Sequence, residues 1–214
     1  RTLSEASAAA AAAVASSSTN DESGSDADAN ANVDAHAATC RAHHKLQEAL
    51  RRYFRLRSSV PSTRFANKVA IDCGAAPGGW TQCLLDCGVS AAYAVDPAEL
   101  DPSVSAAEGA IHLKETIESA IPKLTGRGVV ADLWVSDMCL HDTGDQVRYL
   151  LDARDAGLVR EGTFFVLTLK CNRGHSDDTF DTNAERIVRD TLLLATTTTT
   201  TTTGAAAEEE EEDK

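Results

Sequence analysis

The chain has 214 residues, 43% of them hydrophobic, and a formal net charge of −13. That length suits one domain with residues to spare, and no apolar run approaches the roughly 20 residues of a membrane-spanning helix, so no membrane association is expected. The charge excludes a uniformly basic binder of nucleic acid, but it is unevenly placed: segments 1–39 and 204–214 together contribute −10 of the net −13.

In chain order, residues 1–39 are rich in Ala, Ser, Asn and Asp with almost no large apolar side chain. Such a segment cannot bury enough surface to offset chain entropy, and it is expected to be a disordered tail. A basic helix follows at about 41–57. Leu46, Ala49, Leu50, Tyr53 and Phe54 recur at helical spacing, with arginines on the other face. Residues 41–68 hold Arg41, Lys45, Arg51, Arg52, Arg55, Arg57, Arg64 and Lys68 against the single acid Glu48. A basic stripe beside a nearly neutral body is the footprint of a phosphate partner, and equally the pattern of a solvated helix face.

The next elements alternate. Strand-like VAIDC (69–73) precedes a helix at about 80–87, then AYAVD (92–96), IHLK (111–114), a helix at about 115–124, VADLWVSDM (130–138), a helix at about 146–156 and TFFVLTLK (163–170). A last helix is expected at about 182–194, before a low-complexity Thr and Glu tail at 196–214. Strands separated by helices of this length pair in parallel, with helices on both faces. The expected fold is α/β, a Rossmann-like doubly wound parallel sheet of strand order 3-2-1-4-5, in a domain spanning 40–195. Its ligand belongs at the carboxyl ends of the strands, where the strand order reverses.

That position is occupied by DCGAAPGGW (72–80). Glycine lets a ligand lie against backbone N–H groups, and Pro77 stiffens the turn. The spacing is not the G-x-G-x-x-G of dinucleotide folds, because Ala76 stands two residues after Gly74 and Pro77-Gly78-Gly79 replaces the spaced glycines. The string DCGAAPGGWTQ (72–82) resembles the signature of FtsJ/RrmJ-type RNA ribose 2′-O-methyltransferases. VSDM (135–138) is similar to that family's fourth-strand end, GTFFVLTLK (162–170) to its fifth, and HHKLQEA (43–49) to its amino-terminal helix. The resemblance covers roughly residues 41–190, and AVDPAELDP together with the run from SDM to LTLK looks closer to its RlmM-like branch than to its bacterial heat-shock member.

The resemblance implies S-adenosyl-L-methionine as cofactor and RNA, ribosomal or transfer, as acceptor. It implies a catalytic set of Lys45, Asp137 and Lys170. It further implies that Asp72, Gly74, Pro77, Gly78, Gly79, Trp80, Asp96 and Asp137 bind the cofactor, Asp96 through the adenosine ribose. Arg41, Lys45, Arg51, Arg52 and Arg55 are the expected RNA contacts. The chemistry asks for such a group, because a ribose 2′-OH is a poor nucleophile and a lysine accepts its proton only where burial or a neighbouring cation lowers its pKa. On this reading Lys170 is the base, Lys45 orients the hydroxyl, and Asp137 holds the Lys170 amine in line.

The family's fourth catalytic residue, a glutamate on a later strand, has no counterpart here: Glu185 precedes that position and the threonine run follows it. Closing strands 6 and 7 are therefore expected to be missing. Two alternatives follow, a catalytically impaired relative that binds RNA or cofactor, or a methyltransferase acting on protein or a small molecule. Each residue also has a plainer role open to it: Asp72 as a cap, Trp80 as core, Lys170 as a strand-end lysine reaching solvent.

Cys73, Cys83, Cys87, Cys139 and Cys171 read as reduced core residues of an intracellular protein. Cys83-x-x-x-Cys87 lacks a second pair, so no metal is expected. The expected state is a monomer in the cytoplasm, nucleus or nucleolus, with an organelle left open. The chain begins at Arg1 rather than Met, which leaves an upstream targeting segment open as well.

Overall fold

The computed structural model describes residues 29–140, 142, 144–169, 181, 182, 184–187 and 189, with side chains from residue 41 onward. Helix α1 (Ala29–Tyr53) leads into β1 (Val69–Cys73), α2 (Gly79–Asp86), β2 (Ala91–Val95), α3 (Pro102–Ser105), β3 (Ala110–Leu113), α4 (Ile117–Gly126), β4 (Leu133–Ser136), α5 (Gly144–Asp155) and β5 (Phe164–Leu167). The strands form one parallel sheet of order β3-β2-β1-β4-β5, as the alternation predicts.

The inner strands β1 and β4 are buried in both directions and the edge strands β3 and β5 only in part, and the period of two assigns their residues to two cores. Ala70, Leu133 and Val135 point to the face covered by α1 and α2, where they meet Leu46, Leu50, Trp80 and Leu84. Ile71, Cys73 and Trp134 point to the other face, under Ile117, Ile121, Leu124 and Leu150 of α4 and α5. The apolar stripe of α1 is thus the one its sequence shows: Leu46 and Leu50 are fully buried, and Phe54 stacks on Phe164 of β5.

Four expectations change. The first helix begins at Ala29, not near 41, because five alanines between Ala29 and Ala38 favour helix in a stretch whose polarity reads as disorder. It ends at Tyr53, and Arg55 takes a left-handed φ of 53° just beyond. The short helix α3 was not foreseen, although Asp101 caps it through the Ser103 N–H and Pro102 stands in its first turn. Cys139 is exposed, one residue beyond the apolar run that suggested burial, whereas Cys73, Cys83 and Cys87 are buried and free. Residues 1–28 and 191–214, Cys171, and the region where a closing glutamate was sought lie outside the described residues. Positions 181, 182, 184–187 and 189 are helical, in line with the last helix, and Glu185 is exposed there.

Register places the site. Cys73 is aligned with both Val95 and Ser136, and Ser136 with Leu167. Gly74, Asp96, Asp137 and Thr168 are therefore each one residue past their strands, level with one another at the carboxyl edge.

Candidate active site

The chain leaves β1 through a loop whose first and fifth residues need positive φ: Gly74 at +77° and Gly78 at +117°. The space that those missing side chains would fill is held by protein atoms. A Cβ on Gly74 would lie 2.6 Å from the Met138 Cγ, and one on Gly78 would lie 2.8 Å from a Val104 methyl. Helix α3, unforeseen in the sequence, is thus the buttress of the glycine loop. Val104 and Leu100 pack with Ala75 and Ala94, and the Asp101 N–H donates to the Pro77 carbonyl at 2.8 Å.

Asp96 holds the loop from the β2 side, its Oδ2 accepting from the Ala76 N–H at 3.1 Å and its Oδ1 from the Ala98 N–H at 2.8 Å. A carboxylate has roughly four acceptor positions, so this partly exposed group retains capacity for two hydroxyls. Asp72 lies below the loop, fully buried. Its Oδ2 accepts from the Thr81 hydroxyl at 2.7 Å, pinning α2 to β1, while its Oδ1 has no hydrogen-bond partner. Thr81 was missed in the sequence, although it follows the motif directly. Trp80 packs in the core beneath α1, so its role as core, one of the two open to it, is the one its burial displays.

Lys45 reaches across from α1, and its Nζ donates to the Asp137 Oδ2 at 2.8 Å, with the two side chains 26% and 17% exposed. Two of the three expected catalytic residues, 92 positions apart in sequence, therefore meet at the strand ends. Lys170 lies outside the described residues.

Behind Asp137 is a buried polar network that periodicity could not reveal. The Ser136 hydroxyl donates to the Gln146 Oε1 at 2.7 Å, and the Gln146 Nε2 donates to the Thr168 carbonyl. Gln146 is completely buried, and it ties α5 to the ends of β4 and β5, fixing the segments that carry Asp137 and run toward Lys170.

The basic stripe is only partly available. Arg51 and Arg52 share Glu48, Lys68 pairs with Asp132, and the Arg64 guanidinium lies 3.7 Å over the Phe54 ring. Arg41, Arg55 and Arg57 are exposed. Among the described residues, no group of three His, Cys, Asp or Glu side chains could hold a metal ion, and no helix is long and apolar enough to cross a membrane.

Burial pushes the Asp72 carboxyl from its ordinary 3.8 up to about 7. The carboxylates of Asp137 and Asp96 act in the same direction, and the Thr81 hydrogen bond opposes them. Between pH 4 and 7 the folded chain holds this proton and the unfolded chain does not. Stability should therefore fall by roughly 1.4 kcal/mol per pH unit across that window, and the penalty remains in full above it. Thermal unfolding from pH 5 to 8 checks this: the wild-type midpoint should drop with pH, and Asp72→Asn should flatten the drop. An equal pH dependence in both proteins would assign it elsewhere.

A doubly wound sheet with a glycine loop and two acids at its switch point belongs to the Rossmann-like class, whose ligands bind at that edge. The FtsJ-like methyltransferase profile matches residues 38–175, and the chain belongs to that family. The match is to the family as a whole and does not assign the RlmM-like branch. Over 79 residues the chain is 38% identical to the ribosomal RNA large subunit methyltransferase E of Acidiphilium cryptum (strain JF-5). That alignment covers 35% of this chain and 32% of the relative, so the chain spans about a third of the curated protein it matches. Among solved structures, a candidate hemolysin from Streptococcus thermophilus superposes with a TM-score of 0.56 at 18% identity, over 71% of this chain and 55% of that one. A second, from Lactococcus lactis, superposes with a TM-score of 0.51 at 15% identity, over 70% and 72%. At such identities the likeness concerns the fold alone.

Proposed function

We propose that this chain transfers a methyl group from S-adenosyl-L-methionine to a ribose 2′-OH of RNA, with ribosomal RNA the first acceptor to test. The observation that supports it most is the Lys45–Asp137 pair beside the glycine loop of an FtsJ-like chain. The site suits the cofactor: Asp96 has acceptor capacity for a ribose diol, and the buried Asp72 Oδ1 presents an unanswered acceptor beneath the loop. The cofactor, when bound, supplies an electrophilic methyl on a sulfonium.

The protein's own residues do the rest. Gly74, Pro77, Gly78 and Gly79 line the cradle. Asp137 fixes the Lys45 ammonium, which donates a hydrogen bond to the acceptor ribose or its phosphate and so holds the hydroxyl in one orientation. The proton of the 2′-OH passes to the amine of Lys170. Among the RNA contacts, Arg41 and Arg55 carry more of the electrostatics than Arg51 and Arg52, whose two charges are offset by one from Glu48. An RNA acceptor implies an intracellular site of action, and the relative's bacterial source gives a nuclear or nucleolar one no support.

Filter binding of an unmethylated large-subunit ribosomal RNA transcript at several salt concentrations tests the RNA part. Arg41→Gln with Arg55→Gln should lower affinity and make the salt dependence shallower by about two phosphate contacts. A salt-independent affinity in the wild type would favour a protein or small-molecule acceptor.

A further inference from the structure

Outside the strand-end site, α1 and the segment that follows it enclose a groove of about 430 Å³, lined by His44, Gln47, Glu48, Arg51, Ser58 and Ser59. Its volume lies in the range of small-ligand pockets. His44, Gln47, Glu48 and Arg51 form one i, i+3, i+4, i+7 stripe of the helix. Lys45 follows His44 on the same helix, about 100° round from it, and is not part of the lining.

The lining carries no apolar side chain, which argues against a hydrophobic ligand. Nor does it favour a bare anion, because Glu48 accepts from the Arg51 Nε at 3.0 Å and Nη2 at 2.8 Å, and from the Arg52 Nε at 2.7 Å. What these contacts do is fix the Arg51 guanidinium plane. An immobilised guanidinium is a stacking surface for a base. Around it, the Gln47 carboxamide, the Ser58 and Ser59 hydroxyls and the His44 ring hydrogen-bond to no other described side chain, and they supply both donors and acceptors. Hydrogen-bonding groups of both kinds beside a flat cation match the edge of a base and the hydroxyls of a ribose. A base presents that edge only when it is unpaired.

We infer that this groove seats one unpaired nucleoside of the acceptor RNA. The base lies against Arg51, and its edge and ribose are bonded by Gln47, Ser58, Ser59 and His44. The inference rests on the RNA reading above and names a subsite of it, one that recognises through hydrogen bonds and shape rather than net charge.

The test uses the full chain, S-adenosyl-L-methionine and the same ribosomal RNA transcript. Gln47→Ala combined with Ser58→Ala and Ser59→Ala should raise KM for the transcript about tenfold, the loss of two or three net hydrogen bonds at most. The salt slope of binding and the calorimetric Kd for the cofactor should stay as in the wild type, which separates a lost subsite from a lost fold or a lost charge. An unchanged KM and RNA affinity in the triple variant overturns the inference while leaving the RNA reading intact. If the wild type binds the cofactor and methylates no RNA, the RNA reading fails and the inference falls with it.

Discussion

Lys45→Ala lowers kcat for methyl transfer to RNA by on the order of 10²- to 10⁴-fold, the span of a lost acid–base or orienting group, and leaves the cofactor Kd nearly unchanged. Lys45 sits on α1 rather than on the glycine loop, and its amine is held 2.8 Å from the Asp137 carboxylate. The contact couples an amino-terminal helix to the end of β4, and both halves are only partly exposed, which shields the pair from solvent screening. Lys45→Arg keeps the charge but spreads it over a planar fork that does not fit the same point contact, so it should recover only a small part of kcat. Single-turnover kinetics with calorimetric cofactor binding separates the two effects. An unchanged kcat in Lys45→Ala would leave the pair as a structural tie between α1 and the sheet.

Gly74→Ala is expected to cost about 1–3 kcal/mol of stability, the cost of overpacking, added to the strain of an L residue at positive φ. The new Cβ would lie 2.6 Å from the Met138 Cγ, 3.1 Å from its Cα and 3.2 Å from its amide nitrogen, at a φ of +77°. A flexible methionine tip could swing away; its backbone cannot. Met138→Ala in the same chain should therefore rescue only part of the loss. Because Met138 adjoins Asp137, the displaced segment would also disturb the Lys45 contact, and activity should fall further than stability alone implies. Gly126→Ala provides the control, since nothing lies within 4 Å of that position and α4 gains an alanine near its end. Denaturant midpoints of the three variants and the wild type settle the comparison. Equal stability of Gly74→Ala and the wild type would mean that the loop and Met138 separate readily.

These two residues also show what could be read from the sequence. The glycines signalled a backbone cleared of side chains, which is correct, but glycine identifies no neighbour. Here the nearest atoms belong to Met138 and Val104, and the second of these sits on a four-residue helix too short to leave a periodic signal. Its Asp101-Pro102 start was the one local cue. By contrast, Asp96 and Asp137 were legible because a parallel sheet in register brings the residues after neighbouring strands to one level, and the strands are continuous apolar runs that end on those acids. The family resemblance grouped Lys45 with Asp137 in one catalytic set but gave Asp137 the amine of Lys170 to hold; composition and spacing carry no information on a contact between two residues from different ends of the domain. The Ser136–Gln146–Thr168 network was illegible for a related reason. A glutamine near the start of a helix reads as solvent-facing, and only the packing of α5 on β4 and β5 turns it inward. The eight basic residues at 41–68 are alike in the sequence, but Lys45 and Lys68 pair with Asp137 and Asp132, which flank β4 far along the chain, and Arg51 and Arg52 with the nearby Glu48.

The measurement closest to the central claim is nucleoside analysis of ribosomal RNA from cells lacking this gene, after incubation with the purified protein and methyl-labelled S-adenosyl-L-methionine. Label should appear in a 2′-O-methylated nucleoside with the wild type and be lost with Lys45→Ala. Label on a base, or none in RNA from a protein that binds the cofactor, would contradict that claim.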